Sequence, residues 1–162
     1  MEKILISACL LGERVRYHGG DARVAHPILQ KWIDDGRLVP FCPEVAGGLS
    51  TPRPPAEIVK TTGARRVLTV VGTDVTPAFE RGAAAALQAA RAHAVRLAIL
   101  KDGSPSCGST WTYDGSFSGR RAGDRGLTAA ALTAAGIKVF SESQIGEAVE
   151  YAARLADGSS VD

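Results

Sequence analysis

The sequence lacks several features that would assign it to a specialised class of protein. It has no apolar run of about 18 residues, so no membrane span is predicted. Its three cysteines are an odd number and too few for a disulfide scaffold, which favours a reducing cytoplasm. Its net charge is only +2, which argues against binding to a nucleic acid polymer. It has neither a P-loop nor a dinucleotide-binding glycine fingerprint, which argues against ATP and NAD.

What remains is the composition of an ordinary globular protein. Of the 162 residues, 45% are apolar and 22% are charged, as in a typical soluble domain. A chain of this length buries roughly two-thirds of the surface that it exposes when unfolded, so it needs no metal to hold a core. We expect a single domain over residues 1–156, a frayed tail over 157–162, and a monomer or weak homodimer.

Short apolar runs alternate with helical patterns along the whole chain. Five runs rich in Val, Ile and Leu are typical of strands covered on both faces of a parallel sheet: residues 4–8, 38–41, 67–71, 95–100 and 137–140. Helices are predicted to begin at Pro27, at Thr76, at Thr128 and after a capping box of Ser141 and Gln144. The alternation predicts an α/β fold: a Rossmann-like parallel sheet flanked by helices, with long functional loops after the strands.

Two long stretches do not fit this alternation. Residues 43–62 carry four prolines, and residues 103–126 are rich in glycine. Both follow a predicted strand, and ligands of open α/β sheets bind at the carboxyl ends of the strands. We therefore expect both stretches to form functional loops.

Each of the three cysteines lies at the end of a predicted strand or in the loop that follows it: Cys9, Cys42 and Cys107. One interpretation is that each thiol is a small buried hydrophobe. Because parallel strands end at the same edge of a sheet, the three thiols can instead converge on a metal. Three thiolates would leave an open position on zinc, or one iron of a cubane cluster without a protein ligand. The residues alone do not choose between the two metals.

Two polar residues lie close to these cysteines in the sequence. Glu44 follows Cys42 by two positions, and Ser104 precedes Cys107 by three. A carboxylate near a metal can move a proton, and a hydroxyl can relay or orient it. The alternatives are that Glu44 is a solvated loop carboxylate and that Ser104 is a turn residue.

Six motifs then occur in a fixed order along the chain. They are Ser-Ala-Cys-Leu-Leu-Gly at 7–12, Val-Arg-Tyr-His-Gly-Gly at 15–20, Cys-Pro-Glu-Val-Ala-Gly-Gly-Leu at 42–49, Pro-Arg at 52–53, Lys-Asp-Gly-Ser-Pro-Ser-Cys-Gly at 101–108 and Phe-Ser-Gly at 117–119. Together they resemble the thiouracil desulfidase family, over about residues 3–155.

The resemblance implies a cofactor, a reaction and a set of site residues. It implies a [4Fe–4S] cluster with three cysteine ligands, matched here by Cys9, Cys42 and Cys107, and with one open iron. It implies non-redox desulfuration of thiouracil or thiouridine monophosphate to uracil or UMP and hydrogen sulfide. The glutamate and serine that assist the reaction match Glu44 and Ser104. The implied partner is a small thiolated pyrimidine or its nucleotide.

Two other functions and several further residues stay open. The chain could be a three-cysteine zinc hydrolase or deaminase acting on nucleobases, or an iron–sulfur sensor without catalysis; it lacks the cysteine spacing of the zinc deaminases. The residues without an assigned role include candidates for phosphate binding, base stacking and the lining of the site: Arg120, Arg121, Arg125, Tyr17, Trp111, His18 and Asp102.

Overall fold

A computed structural model describes residues 1–158 of the chain. In chain order the elements are β1 (Ile4–Ser7), α1 (Pro27–Asp34), β2 (Leu38–Phe41), α2 (Pro43–Ala46), β3 (Ala56–Thr61), β4 (Ala64–Thr69), α3 (Thr76–Ala92), β5 (Leu97–Leu100), β6 (Thr112–Tyr113), β7 (Arg121–Ala122), α4 (Leu127–Ala134), β8 (Lys138–Ser141) and α5 (Ile145–Ala156). Short 3-10 turns follow β1 and β8.

Four strands form the central sheet in the order β2-β1-β5-β8, and every neighbouring pair is parallel. Every residue of the two middle strands, β1 and β5, is buried, because helices cover both faces of the sheet. Strand residues alternate between the faces, so each face has its own apolar core. The predicted α/β fold with a parallel sheet flanked by helices is confirmed.

Each of the two cores packs against a different pair of helices. On one face, Ile4 and Ile6 pack with the buried side chains of α1 and α5, among them Trp32 and Tyr151. On the other face, Leu5 packs with Ala90 of α3 and with Leu132 of α4. Each fully buried Leu or Ile side chain contributes roughly 1.5–3 kcal/mol, so the sheet with its four long helices holds the strand ends in place.

The prediction for residues 67–71 is wrong in its sheet assignment. These residues contribute only the end of β4, which pairs with β3 in a separate antiparallel hairpin. Val67 is buried against Ile58 and Phe79, whereas Val70 and Val71 lie beyond the strand and are exposed. The valine run combines one core position with an exposed turn, a pattern that composition does not distinguish from a buried strand.

The two stretches predicted as irregular loops are partly regular. Residues 43–62 contain the short helix α2 and strand β3, and residues 103–126 contain the two-residue strands β6 and β7. The capping box at Ser141 is present, but it opens a 3-10 turn before α5.

None of the helices in residues 1–158 is long and apolar enough to cross a membrane. The predicted tail falls mainly on residues 159–162, outside the described residues, and the single domain over 1–156 stays a prediction.

Helix α2 lies directly against the backbone of α3 at two glycines. A Cβ atom at Gly82 of α3 would be 2.1 Å from the Pro43 carbonyl oxygen, and one at Gly47 would be 2.0 Å from the Ala78 carbonyl oxygen. Only glycine permits this approach. Because α2 follows Cys42 and carries Glu44, this contact fixes where both residues lie relative to the sheet.

We expect Gly82→Ala to lower the free energy of unfolding by about 1–3 kcal/mol, because α2 must move away from α3 to make room for the methyl group. Gly146→Ala in α5 is the matched control, since no atom lies within 4 Å of the added Cβ there. That change should leave stability unchanged or raise it by about 0.5–1 kcal/mol. Urea unfolding of both variants measures the difference, and equal stabilities would show that the contact between α2 and α3 is not tight.

Candidate functional site

A cavity of about 390 Å³ opens at the carboxyl edge of the central sheet. Its walls come from the segments that follow β1, β2 and β5 and from the β3–β4 and β6–β7 hairpins. Parallel strands direct their following loops to this edge. The position of the cavity therefore follows from the sheet topology.

All three cysteines line this one cavity. Cys9 lies in the 3-10 turn after β1, Cys42 lies between β2 and α2, and Cys107 lies in the loop after β5. All three thiols are free; Cys9 and Cys107 are buried, and Cys42 is half-buried. The structure thus brings together residues that are 33 and 65 positions apart, as the argument from strand ends expects.

Burial makes these thiols poor acids when no cation is near. It raises the pKa of Cys9 to about 11 and that of Cys107 to about 12, and it also raises the pKa of Cys42. All three are therefore protonated at neutral pH in the protein alone. A coordinated metal replaces the thiol proton, so this donor set suits a thiophilic cationic centre.

The arrangement fits a cluster better than a single ion. Within residues 1–158, no three His, Cys, Asp or Glu side chains lie close enough to hold one metal ion. Ligands of a single zinc must all lie about 2.0–2.3 Å from the same point. A four-iron cluster distributes its thiolates over separate irons, so three separate thiols that line one cavity are compatible with it.

Glu44 and Ser104 are in direct contact beside the cysteines. The Ser104 hydroxyl is 3.1 Å from Glu44 Oε2, and the Ser106 hydroxyl lies at the same distance from that oxygen. The two serine oxygens are 2.8 Å apart. Only 17% of the Glu44 side chain is exposed, so it is not a solvated loop carboxylate.

The Ser104 side chain also closes a turn. Its oxygen accepts hydrogen bonds from the backbone N–H groups of Ser106 and Cys107, at 3.1 and 3.2 Å. Ser104 is therefore both a turn residue and a direct contact of Glu44. The turn fixes Ser104 relative to Cys107, and the hydroxyl connects that loop to α2 through Glu44.

Asp102 organises the loop that carries Ser104 and Cys107. It is buried, and its Oδ1 accepts hydrogen bonds from the backbone N–H groups of Ser109 and Thr110, both at 2.9 Å. Lys101 Nζ donates to the Asp102 carbonyl oxygen at 2.9 Å and to Glu142 Oε1 at 3.1 Å. Asp102 therefore acts on loop geometry, and its carboxylate is fully engaged there.

The other candidates divide into those that line the cavity and those that do not. Tyr17 and Trp111 line it, and Arg121 stacks 3.9 Å above the Trp111 ring. His18 does not line it, and its Nδ1 accepts a hydrogen bond from Gly20 N at 2.9 Å. The three arginines considered for phosphate binding also lie outside its lining: Arg120, Arg121 and Arg125.

Two residues of the site have no role predicted from the sequence. Ser106 is fully buried and contacts both Glu44 and Ser104. Arg53 lines the cavity, and its Nε lies 3.4 Å from Glu44 Oε1. Both residues occur within the quoted motifs, but Ser106 is 62 positions from Glu44, and no spacing rule predicts such a contact.

Comparison with known proteins agrees with this geometry. The sequence model of the 2-thiouracil desulfurase family matches residues 4–144. The chain belongs to this family. A protein of Bacillus subtilis (strain 168) described as "Uncharacterized protein YbbK" is 42% identical over 150 residues, covering 89% of this chain and 98% of that protein. The resemblance seen in the motifs is confirmed.

A solved structure supports the same assignment. It is the [4Fe-4S]-dependent thiouracil desulfidase TudS, which is 49% identical to this chain. The match covers 91% of this chain and 95% of that one, with a TM-score of 0.86. A relative of this family with nearly the same fold therefore depends on a [4Fe–4S] cluster.

We expect Asp102→Ala to lower the free energy of unfolding by about 2–3 kcal/mol, because it removes a buried side chain that accepts hydrogen bonds from the backbone N–H groups of Ser109 and Thr110. Asp114→Ala is the control, since Asp114 accepts a similar bond from Ser116 N, at 2.9 Å, on an exposed turn. It should cost less than about 1 kcal/mol. Denaturant unfolding compares the two variants, and equal losses would contradict the anchoring role of Asp102.

Proposed function

We propose that this protein is a [4Fe–4S]-dependent desulfidase that hydrolyses the C–S bond of a thiolated pyrimidine, giving the oxo-pyrimidine and hydrogen sulfide. The observation that carries the proposal is a single cavity lined by three free cysteines and by Glu44 and Ser104, which are in contact. The substrates are thiouracil or thiouridine monophosphate. Water supplies the oxygen, so no oxidant or reductant is consumed.

In this proposal Cys9, Cys42 and Cys107 hold the cluster. With three protein thiolates, the cluster would keep one iron without a protein ligand and would supply a soft Lewis acid, which suits a thiocarbonyl sulfur. Such a Lewis acid would make the ring carbon more electrophilic and hydrosulfide a better leaving group. The number of cysteines in the chain supports this ligand set, since no fourth thiol exists.

The remaining chemistry belongs to side chains of the cavity. Glu44 takes a proton from the attacking water, which lets the oxygen bond to the ring carbon. As the C–S bond breaks, the sulfur receives this proton from Glu44 and the second proton from the added hydroxyl, whose oxygen becomes the carbonyl oxygen. One water is consumed and hydrogen sulfide leaves. Ser104 donates a hydrogen bond to Glu44 Oε2 and orients the water or the ring. Phe41, Trp111 and Phe117 contribute apolar surface to the cavity wall and limit the access of bulk water.

Anaerobic reconstitution with iron and sulfide, followed by a sulfide-release assay on a panel of thiopyrimidines and their nucleotides, tests the function. Cluster-dependent release of one sulfide for each oxo-pyrimidine formed is the expected result. A coloured protein that releases no sulfide would favour the sensor alternative. Ammonia release by a colourless zinc form would favour the deaminase. The cytoplasmic location and the monomeric or weakly dimeric state stay predictions.

We expect alanine in place of any one of Cys9, Cys42 and Cys107 to abolish both the visible absorbance of the cluster and sulfide release. The far-ultraviolet circular dichroism should persist, because the sheet and its helices form a core without the metal. A variant that retains a full, active cluster would show that the replaced cysteine is not a ligand. An unfolded variant would show that the cluster also stabilises the fold.

We expect Glu44→Gln to lower kcat by about 10²–10⁴-fold, because the amide keeps the size of the side chain and cannot take a proton. The absorbance of the cluster and the binding of substrate should remain. Ser104→Ala should act in the same direction, and the two changes together should cost less than the product of their separate effects. Wild-type turnover by Glu44→Gln would assign the base to another group in the cavity.

A further inference from the structure

Arg53 is a buried guanidinium at the edge of the cavity. Only 6% of its side chain is exposed. Nε donates to Glu44 Oε1 at 3.4 Å, and Nη2 donates to the Val15 carbonyl oxygen at 2.8 Å. Nη1 donates to the Ser50 carbonyl oxygen at 3.1 Å and to Thr51 Oγ1 at 3.0 Å. Four of its five N–H groups therefore have a protein acceptor.

These bonds connect Glu44 to two segments outside α2. One is the loop that follows Cys9, which Arg53 also holds through its backbone N–H, 2.8 Å from the Tyr17 carbonyl oxygen. The other is the turn at Ser50 and Thr51. A planar guanidinium makes such a set of bonds in one geometry, which a lysine cannot reproduce.

The two oxygens of the Glu44 carboxylate are held by different partners. Arg53 holds Oε1, and the hydroxyls of Ser104 and Ser106 hold Oε2. A carboxylate bonded at both oxygens has one orientation, whereas one bonded at a single oxygen rotates about its last bond. The pair is also oppositely charged and mostly withdrawn from solvent, so the attraction is weakly screened.

We propose that Arg53 is the positioning residue for Glu44: its buried guanidinium fixes Oε1 so that Oε2 faces Ser104 in the cavity. This inference rests on the proposed function, in which Glu44 acts as the base. Arg53 acts through Glu44. Its loss therefore lowers kcat, as misplacement of a catalytic group does, and leaves the substrate KM and the cluster little changed.

A double-mutant cycle tests the inference with the reconstituted, full-length protein. We expect Arg53→Gln to lower kcat by about 10–100-fold in a chain with Glu44. In a Glu44→Gln chain it should lower the residual rate less than about twofold, since no carboxylate remains to be positioned. Arg53→Lys keeps the charge and has fewer donors, so its kcat should lie between those of Arg53→Gln and the wild type. Visible absorbance is recorded for every variant.

Arg81→Gln is the matched control. Arg81 also holds the α2 segment, with two guanidinium bonds to the Gly47 carbonyl oxygen at 3.0 and 3.2 Å, and it is not part of the cavity lining. Its loss should leave kcat within about twofold of the wild type. If Arg53→Gln does not fold, Arg53→Lys is carried through the same cycle.

Three results would overturn the positioning role. They are wild-type kcat in Arg53→Gln, an equal fold-loss in the chains with and without Glu44, and a rise in KM without a fall in kcat. The second would make Arg53 a purely structural residue, and the third would make it a substrate contact. Wild-type turnover by Glu44→Gln alone is a different failure, because it removes the base of the proposed function before Arg53 is considered.

Discussion

The parallel direction of the four central strands determines where everything else in the molecule lies. Because β2, β1, β5 and β8 all run the same way, the chain leaves each strand at one edge. The turn with Cys9, the helix after Cys42 and the loop with Cys107 consequently meet there, although they are far apart in sequence. If β2 ran in the opposite direction, Cys42 would lie at the other edge of the sheet and the three thiols would not share a cavity.

Strand direction brings these segments together, and polar contacts then fix them against one another. Glu44 joins α2 to the loop after β5 through Ser104 and Ser106, and to the loop after β1 through Arg53. Burial makes each of these bonds more costly to break than a surface ion pair, since any partner left behind is unsatisfied away from water. The glycine contact between α2 and α3 supports the same arrangement from behind. The site is thus held by the same contacts that orient its carboxylate.

A structural feature can be predicted from this sequence when the interactions that produce it act between residues close together in the chain. The central strands and the helices that begin at Pro27 and Thr76 follow from local periodicity and proline placement, which act over a few residues. The apolar run at residues 67–71 predicts the wrong sheet, because apolar composition does not show which strand a segment pairs with. The bonds from Arg53 to Glu44 and Val15 have no local signal, since these acceptors are 9 and 38 positions away. Unlike its bonds to Ser50 and Thr51, they exist only once the loops have folded onto one edge.

The partners of the carboxylates distinguish Glu44 from the other acids in the cavity wall. Asp102 is committed to the backbone N–H groups of Ser109 and Thr110, and Glu57 to those of Gly115 and Phe117. Backbone amides do not give up their protons, so Asp102 Oδ1 and Glu57 Oε1 are fixed as structural acceptors. The partners of Glu44 Oε2 are two hydroxyls, which can rotate and exchange a hydrogen bond for one with water or substrate. Glu44 Oε2 can therefore change hydrogen-bond partners while the fold stays intact, as the proposed general base requires.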